Sequence, residues 1–222
     1  MAVAAVLLLV LLPVFVILAL AIKLDSPGPV FFRAERVGFR GSRLRMLKFR
    51  KMRQDASGPA LTTADDDRFT RMGRFLVSMK FDELPQLWNV LRGDMSLVGP
   101  RPEDPRFVAA QQVAYAHILQ VKPGITGLCQ LAFAREGELD GAGDRVVYYV
   151  RQLLPQKAAL DQLYARTRSV ALDFRIMFWT FGAVFCRRDV AVNRETGALS
   201  LRRPPDVSRY AAIHERRRAY GR

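Results

Sequence analysis

Two adjacent carboxylates, Asp82 and Glu83, open the stretch FDELPQLWNVLRGDMSLVGPRP from Phe81 to Pro102, and a basic, glycine-rich turn follows them. Acids set close to cations and to free backbone N–H groups suit the handling of a phosphate. The spacing predicts a short helix capped by Asp82, with Pro85 in the first turn and Leu84, Leu87, Trp88 and Leu91 on the buried face. The pair then lies at the positive end of a helix dipole, where a carboxylate stays ionised and a bound phosphate is favoured. The same two residues serve equally well as an ordinary cap, and spacing alone does not separate the two uses. Arg101, fixed between Pro100 and Pro102, is the best candidate for a phosphate clamp, because a guanidinium offers bidentate donors and the prolines limit its backbone freedom. Lys48 and Arg50 in KFRKM, and Arg33 or Arg36 after PGPVFF, are candidates to complete a cationic pocket.

Other nucleophiles are poorly supported. His117 and His214, the only histidines, stand in unrelated contexts, which disfavours a histidine-based triad. Cys129 follows a Pro-Gly turn and reads as core packing, and Cys129 and Cys186 together have no metal-type spacing.

The elements around these residues can be sketched from pattern. Asp25-Ser26-Pro27-Gly28-Pro29 reads as a turn, Val30 to Phe32 as a short strand, and Val37 to Arg53 as a half-buried strand with a cationic face. Asp55 to Asp67 reads as an exposed loop, and Arg68 to Met79 as a helix with Phe69, Met72, Phe75 and Leu76 on one side. Phe107 to Val121 fits one amphipathic helix, Pro123 to Gly127 a turn that exposes backbone N–H groups, and Leu153 to Val184 helices packed on the core or lying at a membrane interface. From Arg187 onward ten arginines face four acids, which predicts a peripheral, partly disordered basic extension.

At 222 residues the chain holds one domain with a real core, and its formal charge of +14 and pI near 10.6 call for a negatively charged partner. No helix-turn-helix or RNP-like motif points to nucleic acid. Met1 to Ile22 carries no charge over 22 residues, enough to cross a hydrocarbon core of roughly 30 Å at about 1.5 Å per residue. A cleaved signal peptide lacks its basic start here, and a straight span is opposed by Pro13, which kinks a helix and lets the segment return to the face it entered. Between Lys23 and Arg53 ten Lys or Arg outnumber two acids, so this flank is expected on the cytoplasmic side.

The Phe81–Pro102 block, with KLDSPGPVFFRAERVGFRG, KFRKM and KPGITG in the same order and spacing, resembles the bacterial sugar transferase family, the monotopic phosphoglycosyl transferases. The resemblance covers about the first apolar residues to Phe185. It implies a mixed, helix-rich α/β fold with a small catalytic domain of short strands, a re-entrant membrane hairpin over residues 1–22, a catalytic domain over 23–186 and a basic extension over 187–222. It implies transfer of a sugar-1-phosphate from a UDP-sugar to undecaprenyl phosphate at the cytoplasmic face of the bacterial inner membrane, with UMP released, and with Asp82 as nucleophile. Glu83 would help hold Mg²⁺ with Asp82 or assist the acceptor; hard oxygen ligands shared with substrate phosphates suit Mg²⁺. Anionic lipid is an expected partner and nucleic acid is not, while a homodimer stays open. Two departures stand out. Relatives commonly carry an arginine five residues before the nucleophile, where this chain has Val77, with Lys80 as the nearby replacement, and only twelve residues precede Pro13, which makes the first hairpin arm short or the start trimmed. The competing reading is a non-catalytic basic membrane adaptor, which would not require the Asp82-Glu83 pair beside Arg101.

Overall fold

The computed structural model describes residues 1–58, 61–62, 66–134 and 145–202. It is a mixed, helix-rich α/β arrangement with short strands. The uncharged start forms α1 (Ala2–Val10) and α2 (Leu12–Asp25), bent by 59° across Leu11. Pro13 stands in the first turn of α2, where its missing N–H costs nothing, so the bend falls just ahead of it. No single helix among the described residues is long and apolar enough to cross a membrane, although the bent pair together has the length and composition.

Next come β1 (Phe31–Val37) and β2 (Arg43–Phe49), an antiparallel hairpin pairing Phe31 with Phe49 and Val37 with Arg43. Strand alternation turns Leu44, Met46 and Lys48 inward and leaves Arg43 and Arg45 outside. The expected cationic face therefore carries two of the basic residues, and Lys48 shares the apolar face.

Helix α3 (Arg71–Ser78) starts on Thr70, whose hydroxyl accepts from the Gly73 N–H at 2.9 Å, and Asp25 at the end of α2 accepts from the Met72 N–H at 2.9 Å. A Cβ on Gly73 would fall 1.8 Å from the Lys51 carbonyl oxygen, so only glycine lets α3 press against the chain leaving β2. Leu76 is fully buried while Phe75 faces out, so one side of the predicted apolar face packs and the other does not. Helix α4 (Gln86–Leu91) follows, then β3 (Ser96–Val98).

The predicted helix from Phe107 to Val121 is two helices, α5 (Pro105–Ala110) and α6 (Gln112–Ile118), broken at Gln111 with φ −134° and ψ 43°. Neither proline nor glycine marks the break in sequence. The Pro123–Gly127 segment is not an exposed turn: Gly124–Thr126 forms β4, parallel to β3, and its backbone groups are spent on that pairing. Gly124 is obligatory, since a Cβ there would lie 2.0 Å from the Gly99 nitrogen.

Helices α7 (Leu128–Ala132) and α8 (Arg145–Tyr148), a π-helical turn over Tyr149–Leu153, α9 (Leu154–Thr167) and α10 (Val170–Phe185) complete the helical part. A last hairpin joins β5 (Val190–Val192) to β6 (Leu199–Leu201). Val190 is buried beside Leu128, Leu160 and Ile176, so the segment expected to be peripheral from Arg187 contributes to the core; residues 203–222 lie outside the described part. A separate cluster, Leu44, Met46, Leu87, Val90 and Met95, fills the space between the first hairpin and α4, closed by Ala4 of α1.

Candidate functional site

Asp82 does not cap α4. It lies in a single 3₁₀ turn, Phe81–Glu83, entered through Lys80 in the left-handed region at φ 57°. Pro85 precedes α4 as its cap residue, since proline is tolerated where the N–H would be unpaired. The buried side of α4 is Gln86, Leu87, Asn89 and Val90, and Trp88, predicted inside, is half exposed. Asn89 clamps this helix to β2: its amide donates to the Arg45 carbonyl at 3.0 Å and its oxygen accepts from the Leu47 N–H at 2.9 Å. That clamp sets the inward face of β2 against the acidic turn.

There Lys48 Nζ donates to Glu83 Oε1 at 2.8 Å, and Arg101 approaches the same oxygen at 3.6 Å. Asp82 is buried, with Lys51 Nζ 3.6 Å from its Oδ2. Lys51 lies in the quoted KFRKM motif but was not among the expected ligands. The signal was the strand's end: once β2 stops at Phe49, the inside-outside alternation no longer assigns the next residues, and the α3 contact brings Lys51 to the pair.

Burial on its own would push the Glu83 carboxyl up, but the positive charges of Lys48 and Arg101, the Lys48 hydrogen bond and the more distant Lys80 outweigh it and hold Glu83 far below the usual carboxylate range. Burial pulls the Lys51 ammonium below its ordinary value, with Asp82 opposing that shift. A cluster of two acids and three close cations, largely withdrawn from water, attracts a further anion strongly.

The other expected ligands have different work. Arg50 is buried and its guanidinium donates to the carbonyls of Pro27 and Ser26 and to the Ser26 hydroxyl, tying down the turn after α2. Its guanidinium is thus engaged by that turn and makes no ion pair with Asp82 or Glu83. Lys80 donates to the Ala134 carbonyl at 3.1 Å and acts on Glu83 only through its charge. Arg36 faces Asp104 at 3.6 Å, and Arg33 is exposed on β1. Val77 is half-buried on α3, and the positive charge about the acids comes from Lys48, Lys51 and Arg101.

Arg101 is positioned from behind. Its backbone N–H donates to Asp161 Oδ1 at 3.4 Å, and Pro100 before it is fully buried. Two residues on, Glu103 accepts from the Tyr149 hydroxyl at 2.6 Å, which in turn accepts from Lys157 Nζ at 3.2 Å. Lys157 and Asp161 are both buried, one turn apart on α9, and burial raises the Asp161 carboxyl well above its ordinary value, partly opposed by the Arg101 N–H. Sequence alone gave no hint of this support. Its residues come from two distant stretches, around Arg101 and from Tyr149 to Asp161, which only the fold brings together. Cys129 is buried, and burial pushes its thiol up, as fits a packing residue. His117 is exposed at the end of α6, and His214 lies outside the described residues.

Among the described residues no three acidic, histidine or cysteine side chains gather into a metal cage. Asp82 and Glu83 nevertheless offer the one or two carboxylates on which Mg²⁺ relies when water and substrate phosphates fill the remaining positions.

A sequence profile of the family described as bacterial sugar transferase matches residues 1–187. The undecaprenyl-phosphate glucose phosphotransferase of Komagataeibacter xylinus is 43% identical over 183 residues, covering 78% of this chain and 32% of the relative. The UDP-glucose:undecaprenyl-phosphate glucose-1-phosphate transferase of Caulobacter vibrioides is 43% identical over 173 residues, or 76% of this chain and 61% of the relative. The exopolysaccharide production protein PSS of Rhizobium leguminosarum bv. phaseoli is 40% identical over 186 residues, covering 78% of this chain and 86% of that protein. The first two are thus spanned over less than two thirds of their length. With a profile match that runs from the bent apolar start through the acidic turn to the end of α10, the chain belongs to the bacterial sugar transferase family.

Proposed function

We propose that this chain transfers a sugar-1-phosphate from a UDP-sugar to undecaprenyl phosphate and releases UMP. The observation that carries the reading is the buried Asp82 beside Glu83, with Lys48, Lys51 and Arg101 around the two carboxylates. A binding module has no need for paired acids withdrawn from water, since cations alone attract a lipid or a nucleic acid; burying carboxylates costs free energy that catalysis recovers. The name of the Caulobacter vibrioides relative makes UDP-glucose the first donor to try, and that of the Komagataeibacter xylinus relative names glucose as well.

In the proposed chemistry an Asp82 oxygen attacks the sugar-bearing phosphorus in line with the bridging oxygen. The bond to that oxygen breaks, UMP leaves with the electron pair, and an aspartyl phosphosugar remains. An oxygen of the polyprenyl phosphate then attacks the same phosphorus, frees the Asp82 carboxylate and forms the new pyrophosphate. Lys51 lies against the nucleophile, while Lys48 and Arg101 at Glu83 face the developing charge of the leaving phosphate. Because its carboxyl is held so low, Glu83 is a weak base, which favours a role in holding phosphate or metal over proton abstraction. Mg²⁺, bound by Asp82 and Glu83 together with the diphosphate, would supply charge neutralisation.

The same proposal sets the protein at the cytoplasmic face of a bacterial inner membrane, held by α1 and α2 as a re-entrant hairpin. Support comes from the 59° bend at the first turn of α2 and the dense positive charge after it. A UMP-release assay with UDP-glucose, Mg²⁺ and undecaprenyl phosphate tests the function directly. Sustained turnover beyond one UMP per enzyme molecule that depends on all three agrees with it, and binding of anionic lipid without any UMP release from a panel of UDP-sugars favours the adaptor instead.

A further inference from the structure

A second cationic feature has no part in this chemistry. A cleft of about 610 Å³ opens between the β1–β2 turn, the β3–β4 pair and the start of α10, with Phe39, Arg40, Lys122, Tyr164, Arg168 and Asp173 among its walls. Neither acid of the catalytic pair lines it, nor do Lys48, Lys51 and Arg101. Arg40, Lys122 and Arg168 are all exposed, and none makes an ion pair among the described residues. The one carboxylate in the wall, Asp173, accepts from the Tyr164 hydroxyl at 2.7 Å. The lining residues thus carry three positive charges and one negative charge, and the negative one is already hydrogen-bonded.

Arg40 is held here against its backbone preference. It adopts φ 54° and ψ 31°, a left-handed conformation unusual for a residue other than glycine. Its N–H donates to the Leu119 carbonyl at 2.8 Å, and its guanidinium lies 5.0 Å from the centre of the Phe39 ring. The space far exceeds the roughly 30 Å³ share of one water, so a phosphate can enter with its ester substituents. Val170 also lines the cleft and begins the exposed apolar side of α10, continued by Phe174, Phe178, Phe181 and Phe185 at helical spacing. Unpaired cations at the end of an exposed aromatic stripe match a molecule with an anionic head and an apolar tail.

We infer that this cleft binds the phosphate ester of an anionic phospholipid headgroup through Arg40, Lys122 and Arg168, with the acyl chains lying along the exposed face of α10. The site is separate from Asp82 and Glu83, and it stands whether or not the proposed transfer takes place.

The test is a calorimetric titration of the full chain in neutral detergent with dihexanoylphosphatidylglycerol, dihexanoylphosphatidylcholine and inorganic phosphate. Phosphatidylglycerol is expected to saturate a single site, with the other two weaker by at least about tenfold. The combined change Arg40→Gln, Lys122→Gln and Arg168→Gln should weaken phosphatidylglycerol by at least about tenfold, and Arg168→Glu alone should repeat the loss if the combined variant folds poorly. A control removing the same charge elsewhere, Arg45→Gln, Arg71→Gln and Arg74→Gln, should stay within about twofold of the parent. Equal weakening in the control would mean diffuse attraction and overturn the site. Inorganic phosphate binding as tightly as the lipid would assign the cleft to free phosphate and overturn the lipid. If the combined variant raised KM for undecaprenyl phosphate in step with the lost lipid binding, the cleft would belong to the acceptor and not to a bystander lipid.

Discussion

The acidic turn and the N-terminal helix pair break the rule of apolar inside and charged outside in opposite directions. Around Asp82 and Glu83, charges are buried and must find one another; along α1 and α2, Leu9, Val10, Ile17 and Leu20 stand exposed. Each exception is costly for a protein surrounded by water alone. Each becomes favourable beside a particular companion, a polyphosphate in the first case and hydrocarbon in the second. Under the proposed function the two companions meet where a water-soluble nucleotide reaches a lipid. The regions also touch: Ala4 of α1 packs under α4, and Asp25 at the end of α2 caps α3, the helix pressed against Lys51.

The comparison can be broken at either end. Asp82→Asn keeps the shape but removes the attacking oxygen, so turnover by UMP release should drop by several orders of magnitude, on the order of 10⁴ or more, while the thermal midpoint shifts little. If the loss were only about tenfold, the acidic turn would be binding phosphate without attacking it. Arg101→Ala should cost about 10²–10³ in turnover, the usual scale for one charge-stabilising donor, and Arg101→Lys should recover only part because the bidentate fork is gone.

The support behind Arg101 offers an intermediate case. Asp161→Asn keeps an oxygen toward the Arg101 N–H, and the double change Asp161→Ala with Tyr149→Phe removes both ties. The first should be mild and the second should lower turnover by about tenfold to a hundredfold, with kcat affected more than KM for the nucleotide sugar. A pure loss of stability would instead lower the fraction of active enzyme and leave the kcat of the survivors unchanged.

Lys51 supplies a pH test. Burial lowers its pKa, so it sheds its proton at a lower pH than an ordinary lysine; its charge is present below that pKa and lost as pH rises through it. Activity should therefore fall on the alkaline side, and Lys51→Arg, which stays charged, should move that limb upward. Glu83, held low, stays ionised throughout the neutral range and should not set the acid limb. At the other end of the comparison, Leu9→Ser with Ile17→Ser should change the thermal midpoint in detergent by little, since both side chains are exposed, yet reduce partition into lipid vesicles by about tenfold or more, at roughly 25 cal/mol per Å² of apolar surface.

These regions differ too in how legible they were. The bend just ahead of Pro13 and the acidic pair with Lys48 and Arg101 could be read locally, because proline chemistry and charge are properties of short stretches, whereas the single strand expected from Val37 to Arg53 is interrupted by the turn at Phe39–Gly41 that joins β1 to β2. Arg50 and Lys51 could not be told apart in that way. They are adjacent, and which one reaches an acid depends on Gly73 admitting α3 against the backbone and on Ser26 and Pro27 lying within reach of the other. The parallel pairing of Gly124–Thr126 with Ser96–Val98 was equally hidden, since three-residue strands carry no period and their partners lie far apart in sequence. The break at Gln111 has no signal in the chain that we can identify.

The central claim is that Asp82 forms a bond to phosphorus. The direct test incubates the full-length protein with UDP-glucose and Mg²⁺ in the absence of any polyprenyl phosphate, then records the intact mass and maps peptides. The account predicts one UMP released per enzyme molecule and a hexose-phosphate mass on the peptide containing Asp82, discharged when undecaprenyl phosphate is added. An unmodified protein, with UMP appearing only when donor and acceptor are both present, would contradict it and leave Asp82 as a ligand in a single direct transfer.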